Sequence, residues 1–287
     1  MQKLSGENPG TTDWSAARGN KWSQHVVGME AMLAPVDEPL IAALELDAAA
    51  SVADIGCGGG GTTLAIARRV PAGSVVHGFD ISPDLIALAR RRAAGSVCEL
   101  GFEVADMAAA APDRPYARLV SRFGVMFFED APSAFKNLVR WLEPSGRFTF
   151  AVWGPPAENP WLTTVRDVVA RLVDIPPLDP DAPGPFRYAN ADKLLRLLER
   201  CGFSKPSVVD WRGALPIGGM RAPAAAAQFA LASFSSFGEL LAQAGGGARS
   251  EAERALTERF ASLERDGAVW LDACVHLVNG SPALASA

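Results

Sequence analysis

Concentrated positive charge is the first feature that this sequence lacks. Its 27 Lys and Arg face 32 Asp and Glu, giving a net charge of −5, and the basic residues are scattered along the chain. Nucleic acids and anionic membrane surfaces require clustered positive charge, so we expect neither as a partner. The longest apolar stretch, Ala222–Phe234, is too short to span a bilayer. The composition therefore favours an enzyme with a small-molecule substrate.

Cysteine and histidine are also scarce. The four cysteines lie far apart, at Cys57, Cys98, Cys201 and Cys274. They form no Cys-x-x-Cys pair, so the spacing typical of zinc sites is absent, and we expect reduced thiols and no metal. The first residues contain no apolar segment typical of a signal peptide. We therefore expect a cytoplasmic protein.

The most informative segment is 52–63, with the sequence VADIGCGGGGTT. An apolar run that contains Asp54 leads into a glycine cluster, and two threonines then begin a helix. Glycine has no Cβ, so such a turn brings backbone N–H groups against a ligand. The spacing Gly56-x-Gly58-x-x-Gly61 also fits the dinucleotide fingerprint. The segment predicts a nucleotide-type cofactor, and by itself it leaves NAD(P) and S-adenosylmethionine open.

Short apolar strands alternate with helices from residue 51 onwards. We predict strands at 51–55, 75–80, 101–105, 118–123, 147–153, 207–211 and 268–278. Helices between strands place the strands in parallel and cover both faces of the sheet. The pattern predicts an α/β fold with a doubly wound, seven-stranded, mostly parallel sheet.

We expect one structural domain with helical additions to this sheet. The predicted parts are an N-terminal helical lid (1–46), a cofactor-binding core (47–154), a Pro-rich insertion or lid (155–189), and the rest of the sheet (190–287) with a helical insertion (220–266). Pro35 and Pro39 are expected to break the N-terminal helix. The insertion is expected to hold one helix over 220–244 and another over 250–265, the latter begun by a capping box of Ser250 and Glu253.

Three acidic residues fall at the ends of successive predicted strands: Asp54, Asp80 and Asp106. Ligands of open parallel sheets bind outside these carboxyl ends. Asp80 can accept both ribose hydroxyls of either cofactor, and Asp106 can accept from an adenine amino group. Asp54 distinguishes between the two cofactors. A carboxylate beside the glycine loop repels the pyrophosphate of NAD(P) and suits the sulfonium and ammonium charges of S-adenosylmethionine. The three acids together favour S-adenosylmethionine.

Residues 52–153 resemble class I S-adenosylmethionine-dependent methyltransferases. Within them the chain is similar to a bacterial group acting on small molecules, whose signature is reproduced by 121–128 (SRFGVMFF), 134–138, 142–150, Trp153 and 159–161 (NPW). Trp22, His25 and the segment 32–35 (MLAP) match the leader of that group. There are two departures: Gly59 replaces a Thr or Ser in the glycine loop, and Ser145 replaces the second residue of a Pro-Gly-Gly turn.

The resemblance implies S-adenosyl-L-methionine as cofactor and an antiparallel last strand. It implies that Gly56, Cys57 and Gly58 line the methionine part, with Ser121 and Arg122 beside the methionine chain. It places Ile81 against adenine, Asp106 with Met107 at the adenine edge, and Asp80 at the ribose. Phe123 is expected near the transfer site.

We expect in-line methyl transfer to a hydrophobic, ring-bearing small molecule, with positioning supplying much of the acceleration. Trp14, Trp22, Phe123 and Trp161 are expected to line the acceptor pocket. His25 is the candidate catalytic base, because His77 and His276 fall inside predicted strands. The residue pattern leaves open a C, N, O or S acceptor atom and a monomer or homodimer.

Two other functions stay open at this point. An NAD(P)-dependent oxidoreductase can use the same glycine loop, although neither Tyr116 nor Tyr188 belongs to a Tyr-x-x-x-Lys pair. A protein that binds S-adenosylmethionine without transferring its methyl group would keep the same cofactor residues. The Asn/Asp-Pro-Pro-Tyr/Phe signature of N-methyltransferases is missing after the fourth strand, where the segment 122–125 (RFGV) stands instead.

Overall fold

The computed structural model describes residues 17–93, 98–177, 179–234 and 236–283, so Trp14 lies outside them. The strands are β1 (Ser51–Ile55), β2 (Val75–Asp80), β3 (Glu99–Val104), β4 (Tyr116–Arg122), β5 (Leu142–Trp153), β6 (Phe203–Pro216), β7 (Glu264–Arg265) and β8 (Ala268–Pro282). The α-helices are α1 (Ala17–Ala42), α2 (Gly61–Ala67), α3 (Pro83–Arg92), α4 (Ala131–Val139), α5 (Pro160–Val169), α6 (Ala191–Arg200), α7 (Pro223–Ser233), α8 (Phe237–Ala244) and α9 (Ala248–Ala261). Among the described helices, none combines the length and apolarity needed to cross a membrane.

The sheet has the order β3-β2-β1-β4-β5-β8-β6, with the two-residue β7 paired to β8. Strands β1 to β5 are parallel to their neighbours, whereas β8 is antiparallel to both β5 and β6. The predicted α/β fold with a mostly parallel sheet and an antiparallel last strand is therefore confirmed. The strand order reverses between β1 and β4, and a crevice at this switch point is where such sheets bind ligands.

Helix starts follow the local sequence in several places. The Ser82 hydroxyl accepts from the Leu85 N–H at 3.4 Å, with proline at the first position of α3. The Asn190 side chain accepts from the Asp192 N–H at the start of α6. These caps satisfy backbone donors that have no partner inside the helix.

The predicted break of the N-terminal helix is wrong, because α1 runs through both Pro35 and Pro39. An interior proline costs about 3 kcal/mol by removing a backbone hydrogen bond. Against this, α1 fully buries Met32, Val36 and Leu40. Each such side chain contributes about 1.5–3 kcal/mol. Packing of α1 on the core therefore outweighs its local helix-breaking signals.

The helical insertion also differs from its prediction. The expected single helix is two helices, α7 and α8, because Phe234 adopts an extended backbone and buries its ring 5.2 Å from that of Trp161. The predicted capping box is wrong as well. Helix α9 begins at Ala248 after Gly247, whose φ of 83° is easily adopted by glycine. Ser250 and Glu253 therefore lie inside the helix.

Candidate active site

A cavity of about 230 Å³ lies at the switch point of the sheet. It is lined by the ends of β1, β2, β3 and β4, by the loops that follow them, and by one face of α1. Nine of the ten predicted cofactor-binding residues line it: Asp54, Gly56, Cys57, Gly58, Asp80, Ile81, Asp106, Met107 and Arg122. The tenth, Ser121, does not. Its buried hydroxyl donates to the Ile55 carbonyl at 2.7 Å and accepts from the Gly124 N–H, joining the ends of β1 and β4.

The glycine loop after β1 has a backbone that other residues rarely adopt. Gly56, Gly58 and Gly60 have φ of 68°, 56° and 84°. A Cβ on Gly56 would lie 2.9 Å from the Gly124 Cα, so the two loops meet backbone to backbone. The loop is fixed to β2, because the N–H groups of Gly56 and Cys57 both donate to the Phe79 carbonyl. This arrangement keeps side chains away from the floor of the cavity.

Asp80 is held by backbone donors at the end of β2. Its Oδ2 accepts from the Gly58 N–H and its Oδ1 from the Ser82 N–H, both at 2.9 Å. Burial raises the pKa of this carboxyl above its ordinary value, while the backbone hydrogen bonds oppose that shift. Each carboxylate oxygen accepts more than one hydrogen bond. Asp80 can therefore receive two neighbouring hydroxyls, as a ribose would present them.

Asp54 is a carboxyl group almost completely removed from solvent. Its side chain is 1% exposed, and its Oδ2 accepts from the Thr63 hydroxyl at 2.6 Å. Burial raises its pKa to about 7, with the Thr63 hydrogen bond and the Arg122 charge acting in the opposite direction. A buried carboxylate favours a nearby positive charge. Asp54 therefore suits a cationic group in the cavity.

Helix α1 is joined to the cavity wall by Asp37, a residue that the sequence prediction missed. Asp37 accepts from Arg122 Nη1 at 2.8 Å and from the Thr62 hydroxyl at 2.9 Å. The Arg122 and Asp37 side chains are 9% and 15% exposed. The only basic residue among the described cavity-lining residues is thus already paired. No motif marks Asp37, because its partners are distant in sequence.

A second ion pair joins α1 to the glycine loop. Glu30, which lines the cavity, receives both of its hydrogen bonds from Arg92 Nη1, at 2.9 and 2.8 Å. Arg92 also donates to the Gly59 carbonyl. A Cβ on Gly59 would lie 2.8 Å from Val26 Cγ2 and 3.0 Å from Glu30 Oε1. The departure from the resembled group at Gly59 therefore makes room for α1.

The loop after β3 is positioned by Asn137 of α4. Asp106 Oδ1 accepts from the Ala108 N–H at 2.9 Å, which turns the chain into the cavity wall. Buried Asn137 donates through Nδ2 to the carbonyls of Met107 and Ala110, at 2.9 and 2.6 Å. Asn137 thereby holds the predicted adenine-edge residues in place. In the sequence, Asn137 was marked only as part of the segment 134–138, which matches the signature of the resembled group.

Two of the predicted acceptor-pocket residues line the cavity, Trp22 and Phe123. The Phe123 ring stacks on Trp153 at 4.1 Å, and its φ of 64° is unusual for a non-glycine residue. Trp161 does not line the cavity. It lies behind Trp153, 5% exposed, and its indole N–H donates to Asn159 Oδ1 at 3.2 Å. Trp161 therefore supports the aromatic wall from behind.

The structure does not bring the predicted base to the cavity. His25 lies on α1, with its ring 6.1 Å from that of Phe229 on α7, and it is not among the lining residues. Burial, and then the charges of Lys21 and Arg221, lower its pKa. The ring of His77 contacts the Tyr116 hydroxyl at 2.7 Å, as expected for a residue inside a strand. Among the described residues that line the cavity there is no histidine.

The fold and the cavity together define a class of protein. A glycine loop after β1, acidic residues ending β1 and β2, and a crevice at the switch point describe a Rossmann-like domain for an adenosine-containing cofactor. Apolar residues next to Asp80 and Asp106 provide a slot for a flat base: Ile81, Leu85, Ala105 and Met107. Asp54, in contrast, faces the part of the cavity where a pyrophosphate would carry negative charge. The cavity therefore fits a cofactor that is cationic near the glycine loop.

Comparison with known proteins agrees with this class. Residues 52–146 match the family described as "Methyltransferase domain". The chain is 34% identical over 121 residues to phosphoethanolamine N-methyltransferase 1 of Zea mays, covering 40% of this chain and 24% of the maize protein. It is 33% identical over 134 residues to trans-aconitate 2-methyltransferase of Methylobacterium nodulans, covering 47% of each chain. The chain thus matches about a quarter to a half of the length of these relatives.

Solved structures share the fold at low sequence identity. The YcgJ protein of Bacillus subtilis superposes with a TM-score of 0.55 at 17% identity, covering 87% of this chain and 99% of that chain. Phosphoethanolamine N-methyltransferase 2 of Haemonchus contortus, solved with S-adenosylhomocysteine, has a TM-score of 0.51 at 14% identity, covering 87% and 52%. Residues 52–146 are a class I S-adenosylmethionine-dependent methyltransferase domain, and S-adenosylmethionine is its cofactor.

Proposed function

We propose that this protein transfers a methyl group from S-adenosylmethionine to an apolar, ring-bearing small molecule that carries no negative charge. The observation that carries this proposal is the lining of the cavity beyond the cofactor residues. Trp22, Leu33, Phe123, Phe127 and Phe128 are apolar, whereas the ionisable residues there are mostly acidic. Such a wall favours burial of an apolar acceptor.

The charges of the cavity argue against an anionic acceptor. Glu129 and Asp130 add to the three strand-end acids, whereas Glu30 is paired with Arg92 and Arg122 is engaged by Asp37. Phosphate and carboxylate groups are normally held by unpaired Arg or Lys donors. The relatives named for phosphoethanolamine and trans-aconitate act on molecules with such groups. We therefore propose a different acceptor for this chain.

The residues of this chain act mainly by binding and positioning. When bound, S-adenosylmethionine supplies a methyl carbon that is already activated by the adjacent sulfonium charge. Asp80 and Asn137, the latter through the loop it holds, would fix the adenosine end. Phe123, supported by Trp153, would restrict the acceptor to one approach. Holding two reactants about 3–3.5 Å apart and aligned can lower the activation barrier by several kcal/mol. A general base is needed only for an acceptor that stays protonated until the methyl group is transferred.

The test uses the purified protein with S-adenosylmethionine labelled in the methyl group. Pairs of ring-bearing compounds that differ only in a carboxylate would be supplied, and labelled product would be extracted and counted. We expect methylation of the uncharged member of a pair and at least about 10-fold less of the charged member. Preference for the carboxylated members would contradict the proposed acceptor class.

A matched pair of variants tests the cofactor site, and two binding outcomes would favour the alternative functions. Asp80→Ala should abolish binding of S-adenosylhomocysteine, whereas Asp84→Ala, in the first turn of α3 and outside the cavity lining, should not. Tight NADH binding without S-adenosylhomocysteine binding would favour the oxidoreductase. Cofactor binding without any labelled product across a broad set of acceptors would favour a protein that binds S-adenosylmethionine without transferring the methyl group.

A further inference from the structure

A cluster of side chains able to bind a metal ion lies on β6 and β8, outside the cofactor cavity. Asp210, Cys274 and His276 each direct one ligand atom to a common point, with these atoms all within 4.8 Å of one another. The strand register explains the convergence. Asp210 pairs with His276 across the two strands, and Cys274 lies two residues before His276, so all three side chains share one face of the sheet. None of the three lines the cavity.

Both ring nitrogens of His276 face hydrogen-bond acceptors. Its Nε2 lies 3.1 Å from the Ala189 carbonyl oxygen, and its Nδ1 lies 2.6 Å from Asp210 Oδ1. A backbone carbonyl and a carboxylate only accept, and a neutral imidazole carries one N–H. If Nε2–H donates to Ala189, the Nδ1 lone pair points at the carboxylate. Histidines that bind metals use this arrangement, in which a backbone carbonyl fixes the tautomer and the other nitrogen is the ligand.

Cys274 differs from the other three cysteines. The thiols of Cys57, Cys98 and Cys201 donate to the backbone carbonyls of Gly58, Ala67 and Pro132, respectively. The sulfur of buried Cys274 instead lies within 4.8 Å of a ligand atom of Asp210 and a ring nitrogen of His276. Gly154 leaves space for its sulfur, since a Cβ there would lie 2.6 Å from Cys274 Sγ. The sulfur is therefore among carboxylate and imidazole ligands.

We propose that Asp210, Cys274 and His276 bind Zn²⁺ or another divalent cation with affinity for thiolates. One sulfur, one nitrogen and one carboxylate are donor types that zinc accepts, and water can occupy the fourth position of a tetrahedral site. The ion would connect β6 with β8. Its role would be structural, because the cluster lies outside the cofactor cavity.

Arg212 is the competitor for this ion. Its guanidinium pairs with Asp210 Oδ2 at 3.0 Å and with Glu158 Oε2 at 2.8 Å. The Arg212 side chain is 57% exposed, and that of Asp210 is 32% exposed. The Arg212 side chain can therefore move towards solvent and leave Asp210 to the metal. The spacing rule used on the sequence misses this site, because its ligands come from paired strands.

The test is titration of the metal-free full-length protein with Co²⁺, which reports a cysteine ligand by a thiolate-to-cobalt absorption band. We expect this band with one Co²⁺ per chain, and its displacement by Zn²⁺. Cys274→Ser should remove the band, whereas Cys201→Ser, a buried cysteine elsewhere, should keep it. Arg212→Gln should tighten binding by about 10-fold, because a competing cation is removed.

A second measurement covers variants that fold poorly. Zn²⁺ at about 100 times its dissociation constant should raise the Tm of the wild-type protein by about 5 °C, and of Cys274→Ser by none. Absence of the band in the wild-type protein, its persistence in Cys274→Ser, or weaker binding by Arg212→Gln would overturn the proposal. None of these readouts depends on methyl transfer, so they separate this site from the proposed function.

Discussion

Replacing Asp54 with Asn tests the central electrostatic argument about the cavity. The amide keeps the size of the side chain and an oxygen that accepts from the Thr63 hydroxyl. It removes a carboxyl group whose pKa burial raises from an ordinary value of 3.8 to about 7. This difference corresponds to about 4 kcal/mol of preference for the protonated form in the folded state.

The sign of the effect on stability follows from this direction. Between pH 4 and 7 the unfolded state has an ionised Asp54 and the folded state keeps the proton, so Asp54 lowers the free energy of unfolding as pH rises. Its contribution is fully present below the unfolded pKa and is lost as pH rises through the folded pKa of about 7. From pH 5 to 8, the stability of Asp54→Asn relative to wild type should rise by about 3 kcal/mol. Urea unfolding of the cofactor-free proteins across this range measures it.

Cofactor binding gives the complementary result. S-adenosylmethionine carries a positive sulfonium that favours the ionised carboxylate, whereas S-adenosylhomocysteine has a neutral sulfur. In the wild-type protein, the affinity for S-adenosylmethionine relative to S-adenosylhomocysteine should increase between pH 6 and 8, by up to about 10-fold per pH unit. In Asp54→Asn this ratio should stay constant. Equal pH dependence in the two proteins, for either stability or the affinity ratio, would refute the role given to Asp54.

Three further variants test other parts of the structure. Asp37→Asn leaves the buried charge of Arg122 unpaired and should lower the free energy of unfolding, measured in urea, by about 3 kcal/mol. Glu38→Gln breaks an exposed ion pair and should change it by less than about 1 kcal/mol, so equal losses would contradict the difference in burial. Gly59→Ser should overpack the contact with α1, cost about 1–3 kcal/mol and increase proteolytic cleavage of α1, and Gly184→Ser, in open surroundings, should do neither. Tyr188→Phe should leave stability unchanged or raise it by up to about 1 kcal/mol, because the Tyr188 hydroxyl is buried without a hydrogen-bond partner among the described residues. Tyr116→Phe should lower stability by about 1 kcal/mol, because it removes the contact with His77. A larger loss in Tyr188→Phe than in Tyr116→Phe would contradict this.

Local signals predicted those parts of the structure that depend on neighbouring residues. The glycine loop needs a backbone that only glycine adopts easily, and the strand-end acids follow from the alternation of strands and helices. These signals lie within a few residues of one another. Most of the cofactor side of the cavity was therefore accessible from the sequence.

The misses involve residues whose partners are far apart in the chain. Asp37 reaches Arg122 across 85 positions, and Glu30 reaches Arg92 across 62. No periodicity or motif encodes such pairs. His25 was chosen because the other two histidines fall inside strands, and Trp161 because its segment was expected over the site. In the structure the His25 ring packs against Phe229 of α7 and Trp161 lies behind Trp153, and neither lines the cavity. Which residues line the acceptor side of the cavity is decided by tertiary packing, and local sequence patterns do not encode that packing.

The attachment of α1 has a consequence for the order in which the site is made. Synthesis proceeds from the N-terminus, so α1 leaves the ribosome before any of its ionic partners. Lys21 must wait for Glu239, which follows 218 positions later on α8. By contrast, Thr62, Arg92 and Arg122, which attach α1 beside the cavity, all belong to the first half of the chain. The cavity end of α1 can therefore be fixed during synthesis well before its contact with α8 can form.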